Sequence, residues 1–354
     1  MNNKSRYKSW MFKLSLLLAI TVILFGLFNY AIDSMWCFKH ANKYNRYQSN
    51  IDERQQKTNF LAFKQNGYDT LILGNSRTAQ INQNDFKGMK AFNYATAAMT
   101  PYEYQGFVEN FKVLSGAPKT IILGLDFNNT IAKKSALEKP PAYYREKTGE
   151  SFYRFKTLIT KDLFNYSILN LKLKRRIENK KFRQWQIVYD RNNIASLTPS
   201  NEAVYREEFD KLIAEISHVF KDSYKYNSEV IRIYGEVVSG NPGSRVIAFT
   251  APMSKPYFCA ATKERPAEFE RWLRDMVAIF GEVWHFEHLN SVAENYEQYF
   301  VDGNHFYPEV GTMIAHTISG SESTSIPAEF GILLTKANID EKIKKIRSEI
   351  SECQ

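Results

Sequence analysis

The chain opens on one long apolar stretch and then changes rhythm. Residues 14–32 (LSLLLAITVILFGLFNYAI) run 19 positions without a charge, which at ~1.5 Å of helical rise each covers most of a ~30 Å hydrocarbon layer. Residues 33–67 are polar with scattered aromatics and no strand period, a pattern that predicts a helical or irregular stalk. Short β-type runs follow: 68–73 (YDTLIL), 119–125 (KTIILGL), 245–250 (RVIAFT) and 283–286 (VWHF), with 89–94 (MKAFNY) as a weaker fifth. Between them, helical spacing predicts helices over 102–114, 202–236, 265–280 and 308–319. Strands alternating with helices predict a doubly wound parallel sheet covered on both faces, with ligands at the carboxyl ends of the strands. Near the end, Ile339, Ile343, Ile346 and Ile350 recur at helical spacing among charges. They predict an amphipathic helix packed on the domain, a short coiled coil being the alternative.

Charge sharpens this layout. Lys4, Arg6, Lys8 and Lys13 precede the apolar stretch with no acid among them, so the positive-inside rule keeps residues 1–13 in the cytoplasm and puts everything after Ile32 outside. The nearest approach to a signal-peptidase site, Asn29-Tyr30-Ala31, has one small residue where two are needed. An uncleaved anchor is therefore expected ahead of a cleaved signal peptide or a core helix. Of the net charge of +9, a surplus of that same size lies in residues 130–190, which hold 15 Lys/Arg against 6 Asp/Glu. This stretch interrupts the strand–helix alternation and predicts an inserted, mostly helical region over about 130–200. Its Lys172, Lys174, Arg175, Arg176, Lys180, Lys181 and Arg183 form a solvated face or a patch for anionic lipid or polymer. The expected layout is a basic tail (1–13), an anchor (14–32), a stalk (33–67), an α/β domain (68–320) carrying the insertion, and a C-terminal tail with its helix (321–354). Three widely spaced cysteines, Cys37, Cys259 and Cys353, fit neither a disulfide framework nor a zinc site, though one bridge could form in an oxidising compartment.

Two segments carry candidate chemistry. Leu71-Ile72-Leu73-Gly74-Asn75-Ser76-Arg77 is a buried-type strand ending in glycine, with a serine two residues on. In a parallel sheet this puts the Ser76 hydroxyl at the strand's carboxyl edge, where free backbone amides favour developing negative charge. A serine hydroxyl is a poor nucleophile until a base removes its proton, and the base needs an orienting partner. Near the other end, Asp302-Gly303-Asn304-His305 is a loop that can set a carboxylate beside an imidazole and leave the far ring nitrogen free, with Pro308 starting the next helix.

On these two blocks the chain resembles the SGNH (GDSL-like) hydrolase superfamily. Gly74-Asn75-Ser76-Arg77 is similar to its first block, Gly-Asp-Ser-Leu, with Asn and Arg substituted, and Asp302-Gly303-Asn304-His305 is similar to its last. The resemblance covers about residues 68–318. It implies a flavodoxin-like three-layer α/β/α fold and a triad of Ser76, Asp302 and His305. By architecture the chain is most similar to membrane-anchored members that modify envelope polymers. The family's oxyanion donors map onto Ser76 and, in Phe92-Asn93-Tyr94-Ala95-Thr96-Ala97-Ala98, onto Ala98 in place of a glycine. The third, an asparagine after a strand, is replaced by Asp126 in Gly124-Leu125-Asp126-Phe127, whose carboxylate would repel an oxyanion unless Asn128 or another donor serves. Arg77 is either a surface ion-pair residue or a binder of an anionic substrate group.

The expected activity is esterase or O-acyltransferase, on an envelope polymer or an acylated small molecule, with membrane lipid around the anchor and a membrane acyl-donor protein as candidate partner. A catalytically altered assembly protein is the alternative. No motif asks for a cofactor or metal. His285 and His288 are three apart on an expected strand, which would point them to opposite faces. Nucleic-acid binding has only charge behind it, and the outward orientation speaks against it.

Overall fold

The computed structural model describes residues 3–49, 51–64, 67–132, 139–182, 184–199, 201–321 and 325–353; Arg183, part of the basic run, lies outside them. Among the described residues nine strands are formed: β1 (Gln48–Ser49), β2 (Thr70–Leu73), β3 (Ala91–Asn93), β4 (Thr120–Leu125), β5 (Ile187–Tyr189), β6 (Ala195–Leu197), β7 (Arg245–Thr250), β8 (Glu282–His285) and β9 (Ile332–Thr335). Six make the central sheet in the order β3-β2-β4-β7-β8-β9, while β1, β5 and β6 make a small antiparallel sheet. The five central strands expected from sequence are all present and pair in parallel. The sixth, β9, joins antiparallel to β8 in a stretch expected to be tail.

Strand alternation explains the layering. In β2 and β4, Leu71, Leu73, Ile121, Leu123 and Leu125 point into one hydrophobic cluster, and Ile72 and Ile122 into a second. Both faces are thus buried, as continuous apolar runs in parallel strands require. Helices Pro101–Ser115, Ser228–Ser239 and Pro266–Phe280 cover the first face through Tyr104, Phe107, Phe111, Tyr234, Trp272 and Met276. Helix Pro308–Ser319 covers the second through Val310, Ile314 and Ala315. The helix expected over 202–236 is two, Glu202–His218 and Ser228–Ser239. The chain between them bridges back to Ile131 through Tyr226.

One expectation fails on packing, and one misses a hairpin. Residues 33–67 are not a stalk. Trp36 is fully buried, and helix Glu53–Phe63 buries Gln55, Gln56, Lys57, Phe60 and Leu61 against the domain. Its polar residues misled because they donate to internal partners: Lys57 Nζ donates to the carbonyls of Asn93 (3.1 Å) and Ala95 (2.6 Å). The insertion is helical over Pro141–Gly149, Tyr153–Thr157 and Lys161–Glu178, but then forms the β5–β6 hairpin that pairs with β1.

The C-terminal helix is fixed on the domain. Helix Ile339–Ser351 buries Ile339, Ile343, Ile346 and Ile350 on the domain, and Cys353 is disulfide-bonded to Cys259. Cys37 is free and buried. The N-terminal helix runs Asn3–Ile32, and its Arg6–Ile32 portion is long and apolar enough to cross a membrane.

Candidate functional site

The chain order brings the site together. From β2 the sheet grows one way to β3 and the other way to β4, so the strand order reverses at β2, the position where ligands bind in open α/β sheets. Gly74 and Gly124 leave room there for Thr78: a Cβ on either would fall about 2 Å from its Oγ1. That close packing sets the turn that presents Ser76, the first residue of the short helix Ser76–Ala79, with Asn75 Oδ1 capping the Arg77 amide at 3.1 Å. Helix Pro308–Ser319 packs on the same segment, its Gly311 tight against Ile81, and so draws the His305 loop toward Ser76.

The loop is built to aim a ring. Phe300 and Phe306 bridge across its base, and Val301 N–H donates to the His305 carbonyl at 2.8 Å. Asp302 Oδ1 accepts from the amides of Asn304 (2.8 Å) and His305 (2.6 Å), and Ser254 Oγ donates to the Gly303 carbonyl at 2.6 Å. The result is a linear chain: Ser76 Oγ lies 2.8 Å from His305 Nε2, and His305 Nδ1 lies 2.9 Å from Asp302 Oδ2. The structure therefore brings Ser76, His305 and Asp302 within hydrogen-bond reach in the order base catalysis needs. Burial alone would push the Asp302 carboxyl up, but the His305 ring and the two amide donors outweigh it and hold the carboxyl below its usual range.

The candidate oxyanion donors divide. Ser76 begins its helix, so its N–H has no intrahelical acceptor. Ala98 is exposed, sits at φ +52°, and its amide has no hydrogen-bond partner among the described residues. That left-handed backbone is one a glycine adopts freely. The turn is held from below by the segment expected to be a stalk: Ala97 N–H donates to Glu53 Oε2 at 2.5 Å, and Arg54 Nη1 donates to the Ala97 carbonyl at 3.3 Å. Asn128 is turned elsewhere, its Nδ2 donating to Tyr257 Oη at 3.0 Å. No hydrogen bond joins it to Ser76 among the described residues.

Arg77 takes neither role expected of it. Its side chain is fully buried, with Nη2 2.5 Å from Asp126 Oδ2 and Nη1 donating to the Ala251 carbonyl at 3.2 Å. It is an internal counter-ion, neither at the surface nor open to substrate. Asp126 also accepts from Asn75 Nδ2 at 2.6 Å and from the Asn128 amide at 2.9 Å. The carboxylate expected to repel an oxyanion is thus compensated from three sides.

Behind this pair lies a buried polar cluster. Glu287 is fully buried, neither carboxyl oxygen has a hydrogen-bond partner among the described residues, and burial pushes its pKa well above the usual range against the pull of Arg77. His285 and His288 do not point apart. The strand ends at His285, and the two buried rings stack at 5.6 Å. Burial lowers both, His285 well below its usual range and His288 to about 4. Between about pH 4.5 and 6.5 an unfolded chain binds protons that these folded imidazoles refuse, so stability falls as pH drops. Glu287 keeps a proton that the unfolded chain releases, so it acts with the opposite sign. His288→Gln should therefore flatten the acid-side fall in stability and Glu287→Gln should steepen it, each by about 1.4 kcal/mol per pH unit at full effect. Thermal unfolding of the full chain in detergent across this window checks both signs.

Sequence reasoning missed one residue over the triad. Trp185, from the insertion, lays its ring 4.8 Å from that of His305. Beside it are two cavities. One, of about 540 Å³, is lined by Arg176, Lys181, Phe182, Gln184 and Gln186, and the other, of about 370 Å³, reaches Asp302 past Lys211 and Leu212. Nothing in the periodicity of 180–186 marks this tryptophan, because its partner lies 120 residues on.

No protein-family model matches the chain, and no curated protein matches it.

Proposed function

We propose that the protein is a membrane-anchored serine esterase or O-acyltransferase of SGNH type, acting on an envelope polymer or a related acylated molecule. The observation that carries this reading is the Ser76–His305–Asp302 chain of hydrogen bonds at the carboxyl edge of the sheet. The strand order supports a flavodoxin-like core, and the Cys259–Cys353 disulfide suits an oxidising compartment outside the anchor.

In this mechanism His305 Nε2 takes the Ser76 proton as Oγ attacks the acyl carbonyl. The Ser76 and Ala98 amides receive the developing oxyanion, and Asp302 steadies the imidazolium. The bond to the leaving alkoxide breaks and His305 protonates it, leaving an acyl-serine. Water or a sugar hydroxyl, deprotonated by His305, then attacks that ester and Ser76 recovers its proton. The two departures from the family's first and third blocks also face one another: an amide at 75 and a carboxylate at 126 hydrogen-bond across the site. With Arg77 as counter-ion, the repulsion expected from Asp126 is offset, and with Asn128 turned to Tyr257 the Ser76 and Ala98 amides are the donors that this reading uses.

A fluorophosphonate probe applied to the full-length protein should label the wild type and not Ser76→Ala; equal labelling of both would remove the nucleophile. Envelope acylation left intact in cells carrying Ser76→Ala with His305→Ala would instead favour an assembly role.

A further inference from the structure

The exposed apolar side chains outside the N-terminal helix are concentrated beside it. Phe152 is 75% exposed, Phe155 60% and Ile159 59%, all in the insertion. They flank the place where the insertion meets the helix. Phe164 stacks on Phe25 (4.9 Å) and packs against the tilted ring of Phe28 (5.4 Å), Asn29 Nδ2 donates to the Leu158 carbonyl at 2.8 Å, and Ser167 Oγ donates to Asn29 Oδ1 at 2.9 Å.

These contacts fix a depth. Phe25 lies seven residues before the helix ends at Ile32, roughly 10 Å down its axis. With Lys13 at the inner boundary, about 20 residues are needed to reach the outer one, so Phe25 to Asn29 fall within the outer part of the layer. Asn29, a polar residue in that stretch, is fully buried with both ends of its amide satisfied by the insertion. The surrounding chemistry is that of an interface. Tyr30 and Phe38 meet edge to face at 4.8 Å, Phe155 packs on Phe38 at 6.2 Å, and Lys156 and Lys161 are exposed. The one carboxylate in the turn, Asp162, sits in the first turn of helix Lys161–Glu178. Aromatic and cationic side chains together are what a headgroup region takes.

We propose that residues 152–164 form a second membrane contact, seated in the outer bilayer interface beside the spanning helix. The inference rests on the anchor reading. It fixes how the domain stands. Helix Lys161–Glu178 leads away from this contact, since Ser167 meets Ser34 at 3.3 Å and Asn170 donates to Gln48 at 2.6 Å. Its 18 residues carry the chain roughly 27 Å along the helix axis toward the cavity beside Trp185.

The test places an environment-sensitive fluorophore on single cysteines introduced as Leu24→Cys, Phe155→Cys, Ile159→Cys and Val113→Cys in the full chain, reconstituted in vesicles with and without brominated phosphatidylcholine. Positions 155 and 159 should show blue-shifted emission and lose fluorescence to bromolipid as Leu24 does, while Val113, 66% exposed elsewhere on the domain, should not. Quenching at 24 without quenching at 155 and 159 overturns the second contact and leaves the anchor standing. No quenching at 24 overturns the anchor and the contact with it.

Discussion

Asp302→Asn should lower turnover of an activated ester by about 10³- to 10⁴-fold while leaving the protein folded. The size follows from the tautomer. His305 Nδ1 must carry its proton toward Asp302 for Nε2 to keep the lone pair that accepts from Ser76. A carboxylate enforces that choice, because it only accepts. An amide can satisfy the two backbone donors at Asn304 and His305 with its oxygen and turn its NH₂ to Nδ1. The ring then adopts the tautomer that points a proton at the serine. His305→Ala should cost a similar factor, and His305→Ala with Ser76→Ala little more than either alone, since the residues act as one unit. Hydrolysis of a nitrophenyl ester by the full-length protein reads all three. Undiminished turnover in Asp302→Asn would mean that the geometry of the loop serves something other than base catalysis.

The extent to which this fold was legible depended on where each residue's partner lay. The runs at 68–73, 119–125 and 245–250 declared themselves because a parallel strand buried on both faces is apolar throughout, and the local composition carries that information. Ser76 and the Asp302–His305 loop were legible as a constellation, since each sits at a strand or helix boundary marked by Gly74 or Pro308. What stayed hidden was polar and buried. Gln55, Gln56 and Lys57 look solvent-facing in sequence and are wholly internal, paired with carbonyls and side chains far along the chain. Arg77 misled in the same way. A buried arginine and a surface arginine have the same local sequence, and only the position of Asp126, 49 residues on, separates them. β9 went unseen because ILLT is short and follows a turn-rich stretch with no period of its own.

Arg77→Leu should destabilise the protein by about 3–5 kcal/mol, the cost of stranding a charge in a buried ion pair. The stranded group would be Asp126, nearly as buried as its partner and left with only the Asn75 and Asn128 donors. Glu287, the other carboxyl facing Arg77, is already pushed toward its neutral form and adds little. Asp126→Asn strands the arginine instead, though Glu287 can then ionise toward it, so this change should cost less. Combining the two removes both charges, and two opposite buried charges are cheaper to lose together than one at a time. The double variant should therefore lie well above the sum of the singles, recovering a coupling of about 2–3 kcal/mol. Thermal unfolding of the four proteins of this cycle in detergent measures it. A cost below about 1 kcal/mol for Arg77→Leu is what a solvated surface pair would give, and would contradict the enclosed pair that lets a carboxylate sit behind Ser76 without opposing the charge proposed to form there.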